Sequence, residues 1–151
     1  MDGLVTPHDS FFKALFTQPG VAQDFLAHYL PPQVAELLDL STLEREDASF
    51  VDAELRVHLS DLLYRVHLRD GPPAWVYILF EHKSFPDPLT PFQLLRYMVR
   101  LWERSWRMGD RLKPIVPVVV YHGRWGWEVA RSFRGMVEAP GELERYVPEY
   151  E

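Results

Sequence analysis

The stretch Trp75-Val-Tyr-Ile-Leu-Phe-Glu-His-Lys83 is an apolar run that ends with a glutamate and a lysine on alternate positions. Its β-branched and aromatic content, and the breaker Gly71-Pro72-Pro73 before it, indicate a buried strand rather than a helix. Side chains alternate between the faces of a strand, so Glu81 and Lys83 are predicted to share a face. An acid and a base at the end of a central strand are costly to desolvate unless they pair, bind a metal or face a cleft. The stretch therefore predicts the edge of an active site.

The segment before this stretch supplies a third charged side chain. Asp61-Leu-Leu-Tyr-Arg-Val-His-Leu68 alternates as a strand does, with Leu62 and every second residue after it on one face and Asp61, Leu63, Arg65 and His67 on the other. Asp70-Gly71 then predicts a hairpin turn. In a tight antiparallel hairpin the start of one strand lies beside the end of the next. Asp61 is therefore predicted to lie close to Glu81 and Lys83.

Two helices are predicted before this hairpin. Thr6 and Pro7 are typical of a helix start, and Pro19-Gly20 of its end. The second helix is predicted from Val21 to Tyr29, with Phe25, Leu26 and Tyr29 facing inward. Residues 33–47 have a mixed pattern that favours only a short helix near Val34 to Leu38, and residues 50–68 are β-like.

A long helix and a strand are predicted after the hairpin. Thr90 and Pro91 suit the start of the helix, which is expected to reach about Met108 and stop at Gly109. A broad core-facing stripe is predicted from Leu94, Leu95, Met98, Val99, Leu101, Trp102 and Trp106. Another face is predicted from Gln93, Tyr97, Arg100, Arg104 and Arg107. Residues 114–121 then form a buried strand, in which Pro117 predicts an edge position or a bulge.

The bulk composition indicates one folded domain. The chain has 151 residues, 47% of them hydrophobic, and no cysteine, so neither a disulfide framework nor a thiolate zinc site is available. No apolar run reaches the roughly 20 residues that cross a bilayer. We predict a single domain over residues 1–151 in a soluble, cytoplasmic protein without a membrane partner. The last residues form no closing element, which fits a chain that continues past Glu151.

Charge is distributed unevenly along the chain. The net charge is −6, which argues against coating nucleic acid by bulk electrostatics. Residues 96–113 nevertheless contain five arginines and a lysine against Glu103 and Asp110. This run indicates either a solvated helix face or a local basic surface.

The order of these elements, with Asp61, the tripeptide Glu81-His82-Lys83 and then Gln93 and Tyr97, resembles the PD-(D/E)XK nuclease superfamily. Five blocks resemble its Rpn branch of recombination-promoting nucleases and transposase-related proteins more closely. These blocks are Pro7-His8-Asp9 with Phe12-Lys13, Ser60-Asp61-Leu-Leu-Tyr64, Leu79-Phe-Glu-His-Lys-Ser84, Leu95-Arg-Tyr-Met98 and Pro117-Val-Val-Val-Tyr-His-Gly123.

The resemblance implies a restriction-endonuclease-like α/β core, with a small mixed β-sheet flanked by helices. It implies a metal-dependent DNA endonuclease associated with recombination or mobile elements, with Asp61, Glu81 and the backbone carbonyl of His82 as ligands of Mg²⁺ or Mn²⁺. This agrees with the preference of such ions for oxygen ligands. Lys83 would activate water, Gln93 would position the water or a phosphate, and Asp9 is a candidate further ligand. Tyr97, Arg96, Arg100 and Arg104 would hold DNA, and a homodimer is compatible with this reading.

Each of these residues has a structural alternative. Asp61 could cap a turn, Glu81 and Lys83 could form a surface ion pair, and Asp9 is a good capping-box acid. Gln93 could be an ordinary first-turn residue and Tyr97 a core-edge tyrosine. The functional alternative is a catalytically inactive nuclease-fold domain used for DNA tethering or protein assembly, and an RNA substrate would use the same residues.

Overall fold

A computed structural model describes residues 14–16, 18, 20–46, 62–70, 75–83, 87–121, 126 and 131–149, with only the backbone given for residues 75–83 and 120–121. The elements are helix α1 (Val21–Tyr29), the single-turn helix α2 (Pro32–Ala35), strands β1 (Leu38–Glu46), β2 (Leu62–Leu68) and β3 (Trp75–Lys83), helix α3 (Thr90–Arg107), strand β4 (Ile115–Tyr121), and two 3₁₀ helices, Arg134–Met136 and Gly141–Tyr146. Residues 14–16 are also helical, whereas the predicted helix start at Thr6 and Pro7 lies outside the described residues.

The four strands form one mixed sheet in the order β1-β2-β3-β4. Strands β1, β2 and β3 are successively antiparallel, and β4 runs parallel to β3. A parallel neighbour requires a crossover connection, and α3 lies in that connection. The antiparallel pairing of β2 with β3 confirms the predicted hairpin strands, and Pro117 lies in the last strand of the described sheet, as predicted.

The sheet separates two hydrophobic clusters. On the α1 side, Leu26 packs with Leu62, Tyr64 and Val66. On the α3 side, Leu63 is buried in a cluster with five residues of α3 and β4, namely Leu94, Tyr97, Met98, Leu101 and Ile115. Consecutive residues of β2 therefore enter different clusters, which confirms the predicted alternation. The fold is mixed α/β, with helices on both faces of the sheet.

Three predicted core residues lie at the surface instead. Tyr29 is 67% exposed, and it packs against the neighbouring Phe25 and His28 rings on its own helix. Val99 and Trp106 are 40% and 75% exposed. The buried side of α3 includes Leu101 and Ser105, and Trp106 points about 100° away from Ser105 because a helix turns once in 3.6 residues.

A hydrogen bond joins the helical residues 14–16 to strand β2 of the sheet. Tyr64 is 4% exposed, and its hydroxyl donates to the backbone carbonyl of Phe16 over 3.0 Å. Burial raises the pKa of Tyr64, against a smaller lowering by Arg45. Because the neutral hydroxyl is favoured in the folded state, its contribution to stability is complete below about pH 10 and is lost as pH rises through the folded pKa.

We expect Tyr64→Phe to lower the free energy of unfolding by about 1 kcal/mol near neutral pH, since it removes this buried hydrogen bond. Urea unfolding would measure the difference, which should shrink above about pH 10 as wild-type Tyr64 ionises. Tyr29→Phe is the matched control, because Tyr29 is exposed. Equal losses in both variants would contradict the role of the buried bond.

None of the helices within the described ranges has the length and apolar character needed to span a bilayer.

Candidate active site

The ends of β2 and β3 meet where the sequence predicts the charged cluster. Leu62, which follows Asp61 in the chain, pairs with Phe80, which precedes Glu81. Asp61 itself lies outside the described residues, as does the other predicted metal ligand, Asp9. The register nevertheless brings the two chain segments that carry Asp61 and Glu81 to the same end of the sheet.

The Glu81-His82-Lys83 tripeptide forms the last three residues of β3. In the parallel pairing with β4, Glu81 is level with Val119, His82 with Val120 and Lys83 with Tyr121. Val119 packs against the cluster on the α3 side of the sheet. Glu81 is thus the register partner of a residue on the α3 side, and Lys83 is two residues further along the same strand.

Gln93 lies on the buried side of α3. Its side chain is 3% exposed, and Oε1 accepts no hydrogen bond from the part of the chain that the structure describes. A buried amide oxygen without a donor costs about 1–3 kcal/mol. The spacing still aligns Gln93 with Arg100 and Arg104 along one face of the helix, as predicted, but Gln93 is buried and Arg100 is exposed. The unsatisfied oxygen is unusual for a buried polar group.

Tyr97 lies one turn after Gln93 and is fully buried at 0% exposure. It packs with Leu63, Leu94 and Ile115 between α3 and the sheet. This burial agrees with the predicted alternative of a structural tyrosine and not with a side chain that contacts a phosphate. The structure brings Gln93 and Tyr97 together on the inner side of α3.

The arginines of α3 follow the outer side of the helix. Arg96 and Arg104 are half-buried, and Arg100 is exposed. Arg100 donates to both carboxylate oxygens of Glu103, at 3.0 and 3.2 Å. The Arg100–Glu103 pair is solvated, so its contribution to stability is small. The side chains of these three arginines reach solvent, whereas those of Gln93 and Tyr97 are buried.

Strand β1 carries charged side chains near β2 that the sequence pattern does not predict. Arg65 on β2 forms ion pairs with Glu44, at 2.9 Å, and with Glu46, at 2.8 Å. Glu46 is the register partner of Leu63, whose side chain lies on the α3 side. The alternation of Leu38 and Leu40 was the available signal for β1, but it covers only the first residues of the strand.

Among the side chains that the structure describes, no three histidine, aspartate or glutamate residues are grouped closely enough to hold a metal ion. Asp61 and the side chains of β3 are not among these described side chains.

Residues 6–151 match the family described as "Putative transposase, YhgA-like". The recombination-promoting nuclease RpnA of Escherichia coli (strain K12) is 40% identical over 119 residues, covering 78% of this chain and 40% of RpnA. The recombination-promoting nuclease RpnD of Escherichia coli O157:H7 is 39% identical over 120 residues, covering 78% of this chain and 46% of RpnD. RpnE of strain K12, named an inactive recombination-promoting nuclease-like protein, is 37% identical over 119 residues, covering 78% of this chain and 40% of RpnE. No solved structure matches.

These matches show that the chain is related to recombination-promoting nucleases. The chain belongs to the YhgA-like transposase family. It spans less than half the length of these three curated relatives. The resemblance to the Rpn proteins is confirmed.

Proposed function

We propose that this chain is a metal-dependent DNA endonuclease domain with a restriction-endonuclease-like core. The observation that carries the proposal is the β2–β3 register, in which Leu62 pairs with Phe80. Extending this register by one residue would set Asp61 opposite Glu81. Residues directly opposite on neighbouring strands project to the same face, so the two carboxylates would share one site.

That shared face would be the one covered by α3. Leu63 pairs with Leu79, and Glu81 pairs with Val119, while Leu63 and Val119 both pack toward α3. By strand alternation Glu81 and Lys83 belong to the same side. Gln93 enters this side from the first turn of α3, so all the proposed catalytic groups converge between the sheet and one helix.

Gln93 Oε1, which accepts no hydrogen bond within the described residues, supports a polar ligand beside the first turn of α3. A buried acceptor without a donor fits a position beside a water molecule, and carboxylates with a backbone carbonyl are the donor set that Mg²⁺ or Mn²⁺ takes. Asp61, Glu81 and the His82 carbonyl would hold the ion, with Asp9 as a further candidate. When bound, the ion would neutralise charge on the phosphate.

The remaining groups would act on the water and the nucleic acid. Lys83 would orient the attacking water, take part in its deprotonation and stabilise the negative charge that develops on the phosphate. Gln93 would fix the direction of attack. Arg100 and Arg104 would hold the phosphate backbone, a contact without sequence information. Tyr97 is too deeply buried to reach a phosphate, so its role in the proposal is to support Gln93 by packing.

The second candidate is a domain that keeps the fold without cleavage and tethers DNA or assembles proteins. The observation that favours it is that a relative 37% identical to this chain is named inactive. Titration with Mg²⁺ or Mn²⁺ separates the two candidates, because an enzyme of the proposed kind binds the ion through Asp61 and Glu81, and a tethering domain has no such requirement.

Nicking of supercoiled plasmid by the full 151-residue chain tests the proposed function. We expect open-circular product with Mg²⁺ or Mn²⁺ and none with EDTA. The same assay on a structured RNA separates the substrate classes. Cleavage that persists in EDTA, or no cleavage of either nucleic acid with metal present, would contradict the proposal.

Gln93→Leu is expected to separate stability from activity. The substitution removes an unsatisfied buried oxygen at similar volume, so the free energy of unfolding should be unchanged or higher by about 1 kcal/mol. Nicking should fall at least about tenfold, since the water loses a group that orients it. Gln33→Leu, at an exposed glutamine of α2, is the matched control. Loss of stability with full activity would make Gln93 a structural residue.

A further inference from the structure

Exposed apolar side chains are concentrated on α3 and its flanking turns. Six large apolar residues there are between 40% and 75% exposed, namely Leu89, Phe92, Val99, Trp106, Met108 and Leu112. Isolated exposed apolar residues are ordinary, whereas a continuous group on one element indicates an interaction surface.

The apolar residues of α3 follow a heptad pattern. Phe92, Val99 and Trp106 are separated by seven residues each, and the half-buried Leu95 and Trp102 fall between them at alternating spacings of three and four. Apolar residues at this spacing line the seam of a two-helix coiled coil. The stripe formed by these five residues is called the seam below. From Phe92 to Trp106 the seam is about 21 Å long, within the 18 residues of α3.

The seam is held in a fixed orientation by two contacts. Trp102 Nε1 donates to the carbonyl of Lys113 over 2.8 Å, which fixes the middle of the seam beside the start of β4. Phe92 stacks on Phe133 with ring centroids 6.0 Å apart. These contacts cover only part of the two rings, and Phe92 remains 41% exposed.

The charged side chains beside the seam indicate which partner would fit it. Arg96 and Glu103 are seven residues apart, and both flank the same side of the seam, on either side of its midpoint near Val99. If a second copy of α3 packs antiparallel about a twofold axis at this midpoint, Arg96 of each copy meets Glu103 of the other. In a parallel pair the Arg96 and Glu103 side chains of the two copies would lie on opposite sides of the seam, so these charges would not meet.

The apolar ends of the patch have the same symmetry. Leu89 lies ten residues before the midpoint at Val99, and Met108 lies nine residues after it. An isologous interface requires that a surface be complementary to itself after a half-turn. Apolar groups at both ends with opposite charges between them meet this requirement.

We propose that the chain forms a homodimer by antiparallel pairing of α3 along the seam. The interface does not depend on nuclease activity, since Gln93 lies on the opposite, buried side of the helix. Arg96 faces the second copy, and Glu103 would accept from it in addition to the Arg100 of its own chain. One helix pair buries less surface than a standard interface, so the dissociation constant is expected to be on the order of micromolar.

Sedimentation velocity of the full chain, across concentrations below and above this value, tests the proposal. The wild type should shift from monomer to dimer, and Val99→Glu should remain monomeric with unchanged circular dichroism. Leu143→Glu is the matched control, because Leu143 is exposed in the last 3₁₀ helix, outside the seam. A wild type that stays monomeric throughout, or dimerisation that survives Val99→Glu, overturns the proposal.

Charge reversal tests the antiparallel arrangement. Arg96→Glu and Glu103→Arg should each weaken the dimer several-fold, because each variant sets like charges against one another. The double variant should return to within about twofold of the wild type, since the opposite pairs are restored. Arg145→Glu makes the same charge change away from α3 and should leave the dimer unaffected. A double variant no tighter than the single variants overturns the pairing of Arg96 with Glu103.

Discussion

Asp61→Ala, Glu81→Ala and Lys83→Ala are each expected to abolish metal-dependent DNA cleavage, with a loss of at least about a hundredfold and an unchanged fold. The two carboxylates are proposed to hold the metal, and Lys83 is proposed to orient the water, so no neighbour can replace any of them. The effect is large because the groups act together on one reacting phosphate, and removing a single member disables the set.

Metal binding distinguishes the roles of these three residues. Isothermal titration with Mn²⁺ should show loss of binding for the Asp61 and Glu81 variants and near-normal binding for Lys83→Ala, which affects the water rather than the ion. Glu142→Ala, at an exposed glutamate of the last 3₁₀ helix, is the control for general charge effects. Nicking retained in all three purified variants would refute the proposed site.

Leu63→Ala is expected to lower the free energy of unfolding by about 2–5 kcal/mol. Leu63 is 1% exposed and belongs to the cluster that joins β2 to α3. Truncation would leave a cavity between the sheet and the helix that carries Gln93. Because a domain of this size is stable by only about 5–15 kcal/mol, the loss is a large fraction of the total.

Chemical unfolding measures this loss, and Leu143→Ala provides the control at an exposed leucine, where a change near zero is expected. Nicking per folded molecule should also fall in Leu63→Ala, since Gln93 would lose its fixed position over the sheet. A loss below about 1 kcal/mol would show that the cluster relaxes around the cavity.

The β2–β3 pairing could be predicted because its signals are local. The alternation of Leu62 and Leu63 between two faces, the breaker around Gly71 and the apolar run into Glu81 lie in one short stretch of chain. Each signal depends on sequence neighbours and strand geometry alone. The structure places Leu62 and Leu63 in separate clusters accordingly.

Strand β1 could not be predicted because its register shifts between Asp39 and Glu44. In this irregular part the Thr42 hydroxyl donates to the Asp39 carbonyl over 2.6 Å and accepts from the backbone N–H of His67 over 2.9 Å. A side chain thus takes over bonds that a regular strand makes through its backbone. Such a shift interrupts the two-residue period on which strand prediction depends.

The faces of α3 were only partly predictable because residue polarity does not fix burial. Gln93 is polar yet buried, against the usual cost of desolvating an amide, whereas Trp106 is apolar yet exposed. The spacing of Tyr97 aligns it both with Arg100 and Arg104 and with Leu94 and Leu101, so spacing alone does not decide its burial. The side that meets the sheet is decided by packing on Leu63 and Ile115, which are distant in sequence.

Pro117 has a consequence for how copies of the chain can associate. It lies in the middle of β4, one of the two outer strands of the described sheet, and a proline has no N–H to donate. An incoming strand would find an interrupted row of donors there, so fibril-like growth by strand addition is discouraged. At the β4 edge, pairing of strands from two copies is therefore less favourable than assembly through helices.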